Sequence, residues 1–328
     1  MKTVQIIAMA CLLVGSVVLL AILSKGTDSD DTPPSRPATA TTTAPAAAPI
    51  RIGLIPERDV IAQRKRYRAL ANHIASRLNR PVELATLNTY QAILQDFAQK
   101  RIDGAFLGSL IAVLAIDRTG GHLLLKSQLP DGSSTYRGVV FVREDSPIRS
   151  VGDLAGKSVA VVRTTTGGNL FPIGQMIEHG LLKGPAPPRL VWCGTHDEAI
   201  LAVAEKRVDA GAVKDLRLNE FERDRADPRF RRLAQSRSVP DNALVLRSDL
   251  ANGLSRDLRR VLLSMDADPD GAKALATFGA ARFVPCDLGE YAEVYDLVEH
   301  IGDDWPLLGI QGPAPRRPAS RPASSTRP

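Results

Sequence analysis

Hydroxyls, glycines and a histidine recur where apolar runs end and helical patterns begin, a placement suited to holding an oxyanion. Four such junctions occur: I-G-L-I-P-E-R-D from Ile52, G-A-F-L-G-S-L from Gly104, V-A-V-V-R-T-T-T-G-G from Val159 and L-V-W-C-G-T-H-D from Leu190. A helix start leaves unpaired N–H groups and the positive end of the helix dipole exposed, so it attracts negative charge. Ser109, Thr165, Thr166 and Gly167 supply hydroxyl and amide donors at two junctions, and His196 stands at another. These residue types suit binding more than catalysis. No G-x-S-x-G elbow surrounds Ser109, and H-E-x-x-H, G-x-x-x-x-G-K-[ST] and the dinucleotide fingerprint are absent from the sequence. His73, His122, His179, His196 and His300 lack metal-ligand spacing, and neither Cys193 nor Cys286 lies in a C-x-x-C. The sequence therefore predicts no catalytic residue, no metal and no cofactor. Each candidate also has an ordinary structural role: His196 can cap a helix, and Thr164 to Thr166 can form a plain polar loop.

The elements that position these residues follow from hydrophobic periodicity. Strands are expected near 50–55, 82–87 and 104–107, with helices over 61–78 and 90–100 between them. After an apolar strand at 138–142 the pattern repeats: strand 158–162, helix 169–182, strand 190–193, helix 197–205 and strand 208–213. A further apolar run at 239–245 precedes helical patterns at 255–264, 270–277 and 291–301. Such alternation predicts an α/β architecture with parallel strands, here as two units in series, the last segment returning to the first. The two passages between units would form a hinge.

The ends differ from this middle. Val4 to Leu23 carries no charge and is long enough to span a bilayer, with Lys2 before it and Lys25 after it. No convincing A-x-A cleavage site follows, so residues 1–26 read as a membrane anchor in preference to a cleaved signal, with the remainder exported. Residues 27–49 are rich in Pro, Ala and Thr and read as a linker, and 303–328 as a disordered Pro/Arg/Ser tail. The net charge is +6. Four of those charges belong to Arg316, Arg317, Arg321 and Arg327, while the charges within 1–49 cancel, leaving only +2 for the middle. A polyanionic partner such as nucleic acid is not indicated.

Ile148 to Val162, I-R-S-V-G-D-L-A-G-K-S-V-A-V-V, is similar to the lobe-entry signature of type 2 periplasmic binding proteins. D-G-A-F-L-G-S-L, S-S-T-Y-R-G-V-V-F-V, G-T-H-D-E-A-I-L-A-V-A-E-K-R-V-D-A-G-A-V-K and R-F-V-P-C-D resemble, in that order, the substrate-binding proteins of phosphate, phosphite and phosphonate ABC transporters. The resemblance covers nearly all of 50–302. It implies a two-lobed fold with lobe 1 at about 50–135 and 243–302, lobe 2 at about 136–242, and a hinge of two chain crossings. It also implies a small oxyanion ligand held by Ser109, Tyr136, Thr165, Thr166, Gly167, His196 and Asn242, with Gly168 in the same loop, and ABC permease subunits as partners in the periplasm.

Departures from the family pattern narrow the ligand. Gly167 stands where the loop's last Ser is expected, and Leu107 after Phe106 where an aromatic pair is expected. Aminophosphonate binders place carboxylates against the ligand's amine, whereas the matching positions are Leu216 and Asn242. Phosphate, phosphite or a neutral-tailed phosphonate is therefore expected, with Lys214 or Asp215 able to reach the cleft unless Asp215 serves as a helix cap. The alternative function is a ligand-sensing module of the same fold that signals to a separate membrane partner.

Overall fold

The computed structural model describes residues 47–55, 60–87, 89–225, 227, 229–250 and 252–318. The expected anchor, most of the linker, Arg58 at the first junction and the tail beyond 318 lie outside the described residues. Among those described, no helix is long and apolar enough to cross a membrane.

Short aliphatic runs buried on both faces build the sheets, as strands covered by helices on each side require. The first lobe begins with β1 (Ile50–Leu54), α1 (Val60–Leu78), β2 (Val82–Thr86), α2 (Tyr90–Ala98), β3 (Gly104–Leu107), α3 (Ser109–Thr119) and β4 (His122–Gln128). The chain then crosses through β5 (Thr135–Tyr136) into β6 (Gly138–Arg143), β7 (Ser158–Val162), α4 (Phe171–Glu178), β8 (Arg189–Cys193), α5 (His196–Ala204), β9 (Ala210–Lys214), α6 (Asp215–Asp224) and β10 (Phe230–Gln235). It returns through β11 (Val239–Pro240) to β12 (Ala243–Leu246), α7 (Asn252–Leu263), α8 (Pro269–Phe278), β13 (Arg282–Val284) and α9 (Ala292–Ile301). Strand order is β13-β4-β12-β3-β1-β2 in one sheet and β10-β6-β9-β7-β8 in the other. The crossings pair with each other, Val239 opposite Tyr136 and Pro240 opposite Thr135, as a two-stranded antiparallel ribbon.

The alternation predicted parallel strands, and β1 with β2 and β3 and β7 with β8 and β9 are parallel, but each sheet as a whole is mixed. β12 lies antiparallel between β3 and β4, and β6 antiparallel between β9 and β10. Each of these strands enters its sheet directly from a crossing, without the helical connection that would turn it parallel. Periodicity reports which residues are buried but carries no information about strand direction. The start of α3 at Ser109 was read but its extent was not, because Ser109 to Ala115 are all buried, which erases the amphipathic period. The helix expected over 169–182 is shorter, because a wide turn over Thr166–Leu170 precedes α4.

Two further expectations change. The loss of an aromatic cleft wall at Phe106-Leu107 does not describe these positions, since both side chains are in the core. Phe106 packs edge-on to Tyr67 with ring centroids 5.3 Å apart and lies 5.7 Å from Phe278, while Leu107 joins the cluster around α3 and α9. Nor does the fold end at Ile301. Residues 302–308 form a further 3-10 turn with Trp305 and Leu308 buried. Trp305 Nε1 donates to Gly312 O at 3.0 Å, and Arg118 holds Gln311 O at 2.7 Å. Asn169 Nδ2 donates to Leu308 O at 2.9 Å, so this segment touches lobe 2 as well as α3 of lobe 1. An indole and two aliphatic side chains in a basic, proline-rich stretch outweighed its low-complexity composition.

Candidate functional site

Two of the junctions meet across the gap between lobes. Gly108 caps α3 without a side chain, leaving the helix start open. Ser109 donates its hydroxyl proton to Pro240 O at 2.5 Å, and Leu110 N–H donates to Thr166 Oγ1 at 3.0 Å. The second bond joins a helix start of lobe 1 to the loop of lobe 2, with Thr166 only 2 % exposed. Tyr136, on the first crossing, adds a phenol near enough to the Thr166 and Ser109 hydroxyls for both to influence its titration; burial raises its pKa, so it remains a proton donor. Three hydroxyls, from lobe 1, the hinge and lobe 2, converge with a helix-start amide.

His196 heads α5, which is capped by Thr195 accepting from Glu198 N at 3.1 Å. Its ring is buried, and Nδ1 has no hydrogen-bond partner among the described residues. Desolvation, reinforced by Lys214 and Arg217, holds its pKa down at about 3, so the imidazole is neutral at ordinary pH and can donate from only one nitrogen. Lys214, at the end of β9, places Nζ 2.6 Å from Asp241 Oδ1 and 4.4 Å from the Tyr136 ring centroid. Both members of this ion pair are buried and border a cleft of about 750 Å³ that Asn242, Leu216, Arg217 and Glu220 also line.

Not every expected residue faces this convergence with a free group. Thr165 uses its hydroxyl within the loop, accepting from Gly168 N at 3.1 Å and donating to Val162 O at 2.9 Å. Gly167 packs against the hinge: a Cβ there would come within 3.0 Å of Gly138 Cα and 3.1 Å of Val213 O. That contact accounts for the missing Ser better than any ligand preference does. Gly167→Ala is expected to lower stability by about 1–3 kcal/mol through overpacking, read from the shift in urea midpoint; an unshifted midpoint would show that the loop can back away from β6.

Asp215, the first residue of α6, turns its carboxylate to the backbone, Oδ1 accepting from Arg137 N at 3.0 Å and Leu216 N at 2.7 Å. Asp241, which lines the cleft together with Asp131 and Glu220, was missed by sequence reasoning. Its neighbour Pro240 signals a break in the strand, but nothing local pairs it with a lysine 27 residues earlier. Tyr291 was also missed: its buried hydroxyl has no hydrogen-bond partner among the described residues, and burial raises its pKa well above the ordinary phenol value.

Two α/β lobes with mixed sheets, joined by paired crossings and meeting over a polar cleft, define the type 2 periplasmic binding protein fold. A binding-protein component of an ABC phosphonate transporter from Pseudomonas aeruginosa superposes with a TM-score of 0.69 at 20% identity, over 78% of this chain and 90% of that one. PhnD1 from Prochlorococcus marinus in complex with methylphosphonate superposes with a TM-score of 0.67 at 20% identity, over 77% of this chain and 98% of that one. Residues 52–291 match the family described as the periplasmic substrate-binding protein of phosphonate ABC transporters, and the chain belongs to that family, one of binding proteins and not of enzymes.

Among curated relatives, the phosphonates-binding periplasmic protein of Escherichia coli is 26% identical over 202 residues, 59% of each chain. The phosphate-import protein PhnD of Mycolicibacterium smegmatis is 25% identical over 218 residues, covering 63% of this chain and 66% of the relative. The chain thus spans about three fifths to two thirds of the length of these relatives.

Proposed function

We propose that this protein is the extracytoplasmic receptor for a small phosphorus oxyanion and delivers it to an ABC permease. The observation that carries the reading is the convergence of the Ser109, Tyr136 and Thr166 hydroxyls with the Leu110 amide, drawn from both lobes and the crossing between them. An oxyanion has acceptors on every face, so it can take donors from both lobes at once. Only such a ligand, bound better by the closed than by the open form, shifts the lobes toward closure. Neutral His196 and Lys214 add a ring N–H and a cation on the lobe 2 side. The phosphonate and phosphate functions of the two curated relatives support the same ligand class. The charge-free stretch from Val4 to Leu23 would tether the receptor to the membrane that holds the permease.

Calorimetry on the full chain in detergent against phosphate, phosphite, methylphosphonate and sulfate tests the reading. At least one phosphorus oxyanion is expected to bind at micromolar level or better, about −8 kcal/mol, and sulfate more weakly. Thr166→Val combined with His196→Ala removes a hydroxyl and a ring donor and is expected to lower that affinity by about 100-fold. Undiminished binding by the double variant would place the ligand elsewhere.

A further inference from the structure

We propose that Lys214 is a built-in ammonium that sets ligand class: by occupying Asp241 and the face of Tyr136, it makes the cleft reject amine-tailed phosphonates and accept those with neutral or anionic tails. The inference rests on the oxyanion reading above and adds the residue that decides which oxyanions enter.

A carboxylate beside the face of an aromatic ring is the pair of groups that recognises an alkylammonium ion. Asp241, which follows the second crossing, lines the cleft, and Tyr136, on the first, lies buried behind it with its ring against Lys214. The cation that satisfies them belongs to the protein. Lys214 Nζ lies 2.6 Å from Asp241 Oδ1 and 4.4 Å from the Tyr136 ring centroid, with side chains 7 % and 11 % exposed. Tyr136 links this pair to the oxyanion donors, since its ring face meets Lys214 while its hydroxyl meets Ser109 and Thr166. The ammonium thus lies over the ring of Tyr136 and the oxyanion donors lie at its hydroxyl end.

A ligand ammonium entering there would meet a carboxylate already neutralised and a like charge beside it. A neutral tail meets no such penalty, and an added negative charge gains a partner. Asn242 and Leu216 are not acidic, and the other carboxylates of the cleft are engaged, Glu220 with Arg217 and Asp131 with Ser133. Specificity of this kind comes from a repulsive group held in place as well as from attraction to the accepted ligand.

Ethylphosphonate and 2-aminoethylphosphonate differ by the amine alone, and their affinities for the full chain in detergent can be compared by calorimetry. The parent protein is expected to prefer ethylphosphonate by about tenfold or more, and Lys214→Met to prefer 2-aminoethylphosphonate by a similar factor because Asp241 is released to the ligand. Lys214→Met with Asp241→Asn removes both charges, avoids a bare buried carboxylate, and is expected to bind the two ligands within about threefold. The double variant therefore keeps the test decisive if the single one does not fold. An unchanged preference for ethylphosphonate in whichever variant folds overturns the role of Lys214 while leaving the oxyanion site standing. Failure of the parent to bind ethylphosphonate, methylphosphonate or phosphate overturns the oxyanion reading and this inference with it.

Discussion

Asp241→Ala is expected to destabilise the protein by about 3–5 kcal/mol, because it removes a carboxylate in direct contact with the buried Lys214 ammonium. Nζ and Oδ1 are 2.6 Å apart, and the Lys214 and Asp241 side chains are only 7 % and 11 % exposed, so water cannot easily replace the lost partner. The aspartate also holds the hinge, its backbone N–H donating to Ser134 O at 3.0 Å, but this bond survives the substitution. Replacing both charges, as in Lys214→Met with Asp241→Leu, is expected to cost much less, since a buried pair exchanged for apolar groups is often close to neutral. Urea denaturation followed by circular dichroism gives both numbers. If the single variant proved no less stable than the double, the pair would have to be solvated through the cleft and contribute little to the fold.

The second large effect is a dependence of stability on pH through His196. Its pKa in the folded protein is held at about 3, against 6.5 for an ordinary histidine, chiefly by desolvation and then by Lys214 and Arg217. Between those values the unfolded chain binds a proton that the folded protein refuses. Stability therefore rises with pH across this window, is fully present above about 6.5, and is lost as pH falls toward 3. At about 1.4 kcal/mol per unit, this residue accounts for a loss of about 2 kcal/mol between pH 7 and pH 5. Carboxylates titrate in the same range, so the informative quantity is the difference between the parent and His196→Gln, which has no titrating ring. The parent is expected to lose about 2 kcal/mol more than the variant over those two units; parallel pH profiles would mean that the ring is solvated in solution. A bound oxyanion next to the ring would favour its protonated form and narrow the difference.

Much of the fold could be read in the residues. β1, β3 and β7 are compact aliphatic runs, and α1 and α9 show clear helical patterns, so these elements fall within a few residues of their expected positions. What could not be read was whatever depends on neighbours far along the chain. The uniformly apolar α3 looks like any buried run until both lobes and α9 are seen around it. β4, β10 and β13 are ordinary in composition and become strands because β12, β6 and β4, respectively, supply hydrogen-bonding edges. Trp305 and Leu308 lie in a stretch whose prolines and arginines suggest disorder, yet both are buried.

The candidate site divides in the same way. Ser109, Thr166 and His196 were visible because a helix start is a local event, decided by a small polar residue at the end of an apolar run. The roles of Thr165, Gly167 and Asp215 were not, because a hydroxyl or carboxylate at a helix start can serve the loop as readily as a ligand, and only the hydrogen-bond partners separate the two.

By itself the sequence determined the α/β alternation, the helix-start donors and the resemblance to phosphonate-binding proteins, all of them properties of short stretches and their order. Only the tertiary structure decided that β6 and β12 run antiparallel to their neighbours, that the Ser109, Tyr136 and Thr166 hydroxyls meet, and that Lys214 lies against Asp241 and Tyr136. The physical reason is that strand direction and ion pairing are set by contacts between segments brought together by the two crossings, and such contacts leave no periodic trace in the residues that make them.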